Sequence, residues 1–174
     1  VASFCGGDGQ SLLERAHKET AEVTEQGSLY TFRGWPSTVR IEEGEEGASV
    51  SFGGDFSTVR SRLSCPKGGK AYYELEIVKI LGQPQLGFAS AGFEPVKGPS
   101  GDGVGDDALS WAVDGVRQRK WHGGPREEYA CKWREGDVIG LACDLVGGKI
   151  HVSVNGDFSS PNGAVFDVDV GEGE

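Results

Sequence analysis

Apolar and polar residues alternate through most of this chain from residue 28 onward, and the alternation is sharpest between Gly136 and Phe166. Ile139, Leu141, Cys143 and Leu145 fall on one side, and Val138, Gly140, Ala142 and Asp144 on the other. That period of two belongs to a strand with one buried face. Val146-Gly147-Gly148 supplies a reversal. Ile150, Val152 and Val154 then oppose Lys149, His151 and Ser153. Asn155-Gly156 follows at once, and this pair predicts a type I′ turn because both central positions need φ > 0. The stretch reads as an antiparallel hairpin, packed on one face and wet on the other.

The same reading predicts further short strands. Leu29–Phe32 is a first strand and Arg33-Gly34-Trp35-Pro36 a turn. Val39 and Ile41 share a face, as do Ala48, Val50 and Phe52. Val59, Ser61 and Leu63 oppose Thr58, Arg60 and Arg62; Tyr73, Leu75 and Ile77 oppose Glu74 and Glu76. Residues 85–90 form another strand. Leu109, Trp111 and Val113 point inward and lead to Asp114-Gly115, read as a second type I′ turn. Ala164, Phe166, Val168 and Val170 give a last alternating face. Ala91 to Asp107 is a long loop of the kind that is functional or mobile. Ahead of all this, Ser11-Leu12-Leu13-Glu14 matches a capping box and predicts a short helix. The chain thus divides into an extension or short helix over 1–27 and a β-sandwich over 28–174. The fold class is all-β, a two-sheet antiparallel bent sandwich.

Composition narrows the chemistry. With 174 residues the chain suffices for one domain, and its 29 glycines sit between alternating runs, as turns do. No run is long and apolar enough to span a bilayer, and no signal-peptide pattern occurs. Met is absent even at position 1, so an internal piece of a longer protein is expected, a monomeric domain within it, and the cysteine usage with no N-x-[ST] acceptor makes an intracellular, cytoplasmic setting the expectation. The net charge of −10 argues against nucleic acid. Cys5, Cys65, Cys131 and Cys143 form no C-x-x-C pair, so reduced thiols are expected, with no metal and no cofactor. Gly101, Gly103 and Gly105 do not complete a dinucleotide fingerprint, because Asp stands at position 106.

The ordered set AYYELEI (71–77), QLGFAS (85–90), LSWAVDG (109–115), GDVIGLACDL (136–145), KIHVSVNG (149–156) and GAVF (163–166) resembles the SPRY domain, the core of the B30.2 family. The match runs from about residue 48 to 168. SWAVDGVRQRKWHGG followed by KWREGDVIG looks most like SPRY domains embedded in very large multidomain proteins, such as ryanodine receptors and giant HERC-type ubiquitin ligases. The resemblance implies a concanavalin-like jelly roll that binds peptides or folded partners through loops at one edge, without a catalytic centre. The family continues past the GAVF strand to a last strand, and here the expectation is either that this strand is lacking or that an N-terminal segment fills its place. Members that recognise acidic peptides carry an Arg before the L-G-[FW] strand, where this chain has Gln85.

One basic and aromatic run stands out in an acidic chain. Arg117, Arg119, Trp121, His122, Arg126 and Tyr129 lie within thirteen positions. Trp, Tyr and Arg are the types enriched at interface hot spots. These six, with Trp35, are the expected partner-binding residues. The alternative is a lectin-like, glycan-binding sandwich, for which Glu74 with Glu76, or Asp167 with Asp169, are the spaced carboxylates. Ser110, Ser153, His122, His151 and Asp144 offer the residue types of a hydrolytic triad, but no G-x-S-x-G elbow occurs and both serines fall on strands, so no catalytic residue is expected.

Overall fold

The computed structural model describes residues 2–5, 10–15, 32–35, 39–43, 48–52, 57–61, 64–80, 82–95 and 103–169, without side chains for 2–5, 10–15, 32–35 and 43. All its regular elements are strands: β1 (Ala2–Cys5), β2 (Gln10–Arg15), β3 (Phe32–Trp35), β4 (Val39–Glu43), β5 (Ala48–Phe52), β6 (Ser57–Ser61), β7 (Lys70–Ile77), β8 (Gln83–Ala89), β9 (Ser110–Asp114), β10 (Arg119–Trp121), β11 (Pro125–Glu128), β12 (Val138–Asp144), β13 (Lys149–Val154) and β14 (Gly163–Asp167). They form two antiparallel sheets, ordered β11-β10-β9-β8-β1-β6-β3 and β14-β13-β12-β7-β2-β5-β4. Val59, Leu86 and Val113 of the first sheet meet Val50, Leu75, Ile77, Ile139, Leu141, Ile150 and Val152 of the second in one buried core. In β5, β7 and β12 alternation does what it predicts: one face of the strand leaves water, at roughly 1.5–3 kcal/mol of stabilisation per large aliphatic side chain, whereas β8 and β9 are buried on both faces.

Three expectations are corrected. The helix over Ser11–Glu14 is instead part of β2, which pairs with β5 (Leu12↔Val50) and β7 (Leu12↔Ile77). A short isolated helix is marginal in water, whereas a central strand has every backbone group paired on both sides. β1 is likewise central, between β6 and β8. The strand read at Leu29–Phe32 lies at Phe32–Trp35, where a turn was expected; 29–31 are outside the described residues. At β14 the register shifts, so Val165 is buried and Ala164 exposed. β14 has one partner strand, β13, among the described residues.

The hairpin turns show why local sequence can mislead. At Asn155-Gly156 both φ values are positive, 53° and 79°, as the type I′ reading requires. Asp114-Gly115 is different. Its turn is four residues long, 115–118, and the left-handed residue is Gln118 at φ 56°. Gly115 is needed for space: a Cβ there would lie 2.1 Å from Trp133 Cγ. Asp114 Oδ1 accepts from the Val116 and Arg117 amides at 2.7 and 2.9 Å. The β12–β13 turn repeats this plan. Asp144 Oδ1 accepts from the Val146 and Gly147 amides, both at 2.9 Å, and Gly148 is left-handed at φ 62°.

Candidate functional site

The long β8–β9 connection closes over the outer face of the first sheet and builds a second, smaller core there. Phe93 and Val104 from the connection bury Ala112 of β9 and Trp121 of β10. Gly105 touches Trp121 so closely that a Cβ would sit 2.5 Å from the Trp121 Cβ. The connection is tied down at several points. Gln85 Nε2 donates to Asp106 Oδ1 at 3.1 Å, and the Gly105 amide donates to Ser110 Oγ at 2.7 Å. Ser110 Oγ in turn donates to Asp107 Oδ1 at 2.5 Å. The Gly123 and Gly124 amides donate to the carbonyls of Asp107 and Gly105. At the far side, Arg60 Nη1 donates to the Phe93 carbonyl. Its described part is a packed cover.

The expected partner-binding residues fall in different surroundings. Trp121 is 9% exposed and Tyr129 2%, so both rings are packed inside the fold. Arg117 lies 4.1 Å above the Trp121 ring and pairs through Nε with Asp114 Oδ2, a fully buried carboxylate. Tyr129 Oη donates to Asn162 Oδ1 at 2.6 Å, and burial pushes its phenol pKa well up. It packs edge-on against Trp133 at the end of the sandwich opposite the β8–β9 connection. Trp35 sits on β3, the other edge of the first sheet from β10, five strand spacings or about 24 Å away; its side chain lies outside the described set. Arg119 is exposed on the outer face. The cause in each buried case is the same: large aromatic surface is covered by the chain's own loops before a partner arrives.

His122 and Arg126 remain, and they stand together at a rim. The His122 ring stacks on Trp111 with centroids 4.8 Å apart and planes 11° from parallel. Its Nδ1 lies 2.9 Å from the Ser110 carbonyl oxygen. Arg126 is exposed, and its Nε donates to the His122 carbonyl at 2.5 Å. Leu109, next in the chain to the Ser110 that holds His122, is 44% exposed although alternation placed it inward, and exposed Gly92 adjoins its side chain. Trp111, Phe88 and Tyr73 line the same end of the inter-sheet space, each partly buried against the main core. Sequence reasoning missed Leu109 and Trp111 as surface residues. Leu109 precedes β9, so strand parity no longer governs it.

Elsewhere the outward carboxylates are held locally. Tyr72 Oη donates to Glu74 Oε1 at 2.6 Å, and desolvation with that bond raises the Tyr72 pKa to about 12. Asp167 pairs with Lys149. No cluster of metal-ligating side chains occurs among the described residues. No helix among them is long and apolar enough to cross a membrane.

The sandwich, its ordered strand motifs and the rim loops agree with one family. The family model of the SPRY domain matches residues 70–171, more than half of the chain. The chain belongs to the SPRY domain family. A curated relative, the E3 ubiquitin-protein ligase RKP of Arabidopsis thaliana, is 38% identical over 103 residues, covering 58% of this chain and 7% of that much longer protein. The SPRY domain is in general a protein-interaction module. The family match begins at β7 and so takes in the whole rim, from Phe88 to Arg126.

Proposed function

We propose that this chain is a non-catalytic module that binds a segment of a partner protein through the rim formed by Leu109, Trp111, His122 and Arg126. The observation that carries this reading is the combination at one place of an exposed aliphatic side chain, a stacked and partly exposed Trp–His pair and an exposed guanidinium. Such a mix of apolar seat and polar contacts is what interface centres use. Membership of the SPRY family supports it. The laced cover beneath the rim supports it too, since a site already ordered loses little entropy on binding. The proposal takes the module as one domain of a larger intracellular protein. Cys65, Cys131 and Cys143 are unpaired, which suits reducing surroundings. As one relative is a ubiquitin ligase, a further part of the proposal is that the module selects a protein for a neighbouring activity in its own chain.

A random-peptide display selection tests this, run on the wild type and on the Leu109→Asp, Arg126→Ala double variant. Both side chains are exposed, so the double variant is expected to fold. The wild type is expected to enrich one motif that the variant loses. Equal enrichment of the same motif by both proteins overturns the assignment of the rim.

A further inference from the structure

The rim has a hydrogen-bonding signature more specific than the module reading on which it rests. The Ser110 carbonyl oxygen can only accept, so the nitrogen 2.9 Å from it, His122 Nδ1, carries the ring proton. In the neutral imidazole that leaves Nε2 as a lone-pair acceptor. The ring cannot easily turn to change this. It is stacked on Trp111, and the residue that supplies the carbonyl is itself fixed, with Ser110 fully buried and its hydroxyl bonded to both Asp107 and the Gly105 amide. An acceptor of fixed direction therefore sits at the rim.

A donor lies close by in the chain. Arg126 Nε is engaged by the His122 carbonyl at 2.5 Å, which anchors an exposed guanidinium beside Gly123, with its Nη2 close to that glycine. Leu109 adds an apolar seat. The three features discriminate among ligands. A carboxylate would suit Arg126 but would meet a lone pair at Nε2. An ammonium would suit Nε2 but would face a guanidinium. A peptide unit presents one N–H and one C=O a few ångströms apart and meets neither conflict.

We propose that the rim reads the main chain of an extended partner segment. One backbone N–H donates to His122 Nε2, a neighbouring carbonyl accepts from Arg126, and the apolar side chain between them rests on Leu109 and Trp111.

The test uses a peptide enriched by the wild-type protein. Each of its amides is N-methylated in turn, and affinity is measured by calorimetry for the wild type and for His122→Phe, which keeps the stack but lacks both ring nitrogens. One N-methyl position is expected to cost the wild type about five- to tenfold in affinity, the worth of one neutral hydrogen bond, and to cost His122→Phe less than twofold. Equal losses in both proteins overturn the main-chain inference while leaving the module reading intact. If the wild type enriches no peptide, or the Leu109→Asp, Arg126→Ala variant enriches the same one, both fall together. Should His122→Phe lose its cooperative melt, the cycle is run with Arg126→Ala against a peptide whose facing carbonyl is weakened by ester replacement. Absence of coupling there also overturns the inference.

Discussion

The β9–β10 and β12–β13 hairpins carry one turn design into two surroundings. In each, an Asp at the strand end caps two turn amides and the fourth turn residue is left-handed. In each, an Ala on the incoming strand pairs with the third residue after that left-handed one: Ala112 with Trp121, and Ala142 with His151. There the likeness stops. The β9–β10 hairpin is covered at both ends: Trp133 packs on its turn at Gly115, where Asp114 is fully buried beside a partly buried Arg117, and the β8–β9 connection closes over Trp121 in a second core. The turn of the β12–β13 hairpin is open to solvent at Val146 and Gly147. Asp144 pairs with Lys70, 68% exposed, at 2.7 Å, and His151 is half-buried on the solvent face. Turn geometry follows from local residues, while the energetic weight of a residue in the turn follows from what covers it.

Substitutions at matched positions should separate the two hairpins. The largest effect is expected at Trp121→Ala, which empties space in a covered core and should lower stability by about 3–5 kcal/mol in urea unfolding. His151→Ala, its counterpart, should stay within about 0.5 kcal/mol of wild type. Trp121→Phe should cost clearly less than Trp121→Ala, since the indole Nε1 has no hydrogen-bond partner among the described residues and its loss forfeits no bond. If the two Trp121 variants unfold alike, volume is not what this core needs.

Asp114→Ala should come next, at about 3 kcal/mol or somewhat more, because it strands a partly buried guanidinium and two turn amides. Asp144→Ala should be far milder. Its carboxyl pKa is held down to about 2, first by the Lys70 ammonium and then by the turn amides. A depressed carboxylate pKa means that its stabilisation is present above the unfolded value, near 4, and is lost as pH falls toward 2. The stability gap between wild type and Asp144→Asn should therefore be constant from pH 7 to 5 and close between about pH 4 and 2. A gap that persists at pH 2 would contradict the pairing.

The smallest effects concern the left-handed positions. Gly148→Ala should destabilise by roughly 1 kcal/mol or more, from its φ of 62° and from a Cβ placed 2.9 Å from the Val168 carbonyl oxygen. Gln118→Gly should change stability by less than about 1 kcal/mol, in the stabilising direction, since Gln118 holds φ 56° with a side chain. Thermal melts of both variants check the signs.

Much of the sandwich was legible in the sequence. Ala48-Val50-Phe52, Tyr73-Leu75-Ile77 and the Ile139–Val154 hairpin alternate cleanly because each strand has one buried face. The N-terminal strands were not. Gln10–Arg15 holds two adjacent leucines and a local capping pattern, and only its pairing with β5 and β7 makes it a strand. Thr58 and Gln85 read as outward residues or as none in particular, yet both are buried on the outer face of the first sheet. The same gap explains the candidate site. In the basic, aromatic run the Trp121 ring read as free because Phe93 and Val104, which cover it, come from a stretch without periodicity. His122 is half-buried and Arg126 exposed, as their places after β10 and on the outer strand β11 allow.

The most direct test of the account is the affinity of one selected peptide for two variants, Trp121→Phe and Leu109→Asp. If the rim carries recognition and Trp121 belongs to the interior, Trp121→Phe should bind within about twofold of wild type, and Leu109→Asp should lose roughly thirtyfold or more, an anchor's worth of about 2 kcal/mol. Loss of binding in Trp121→Phe, with Leu109→Asp unaffected, would contradict the account and make Trp121 the anchor after all.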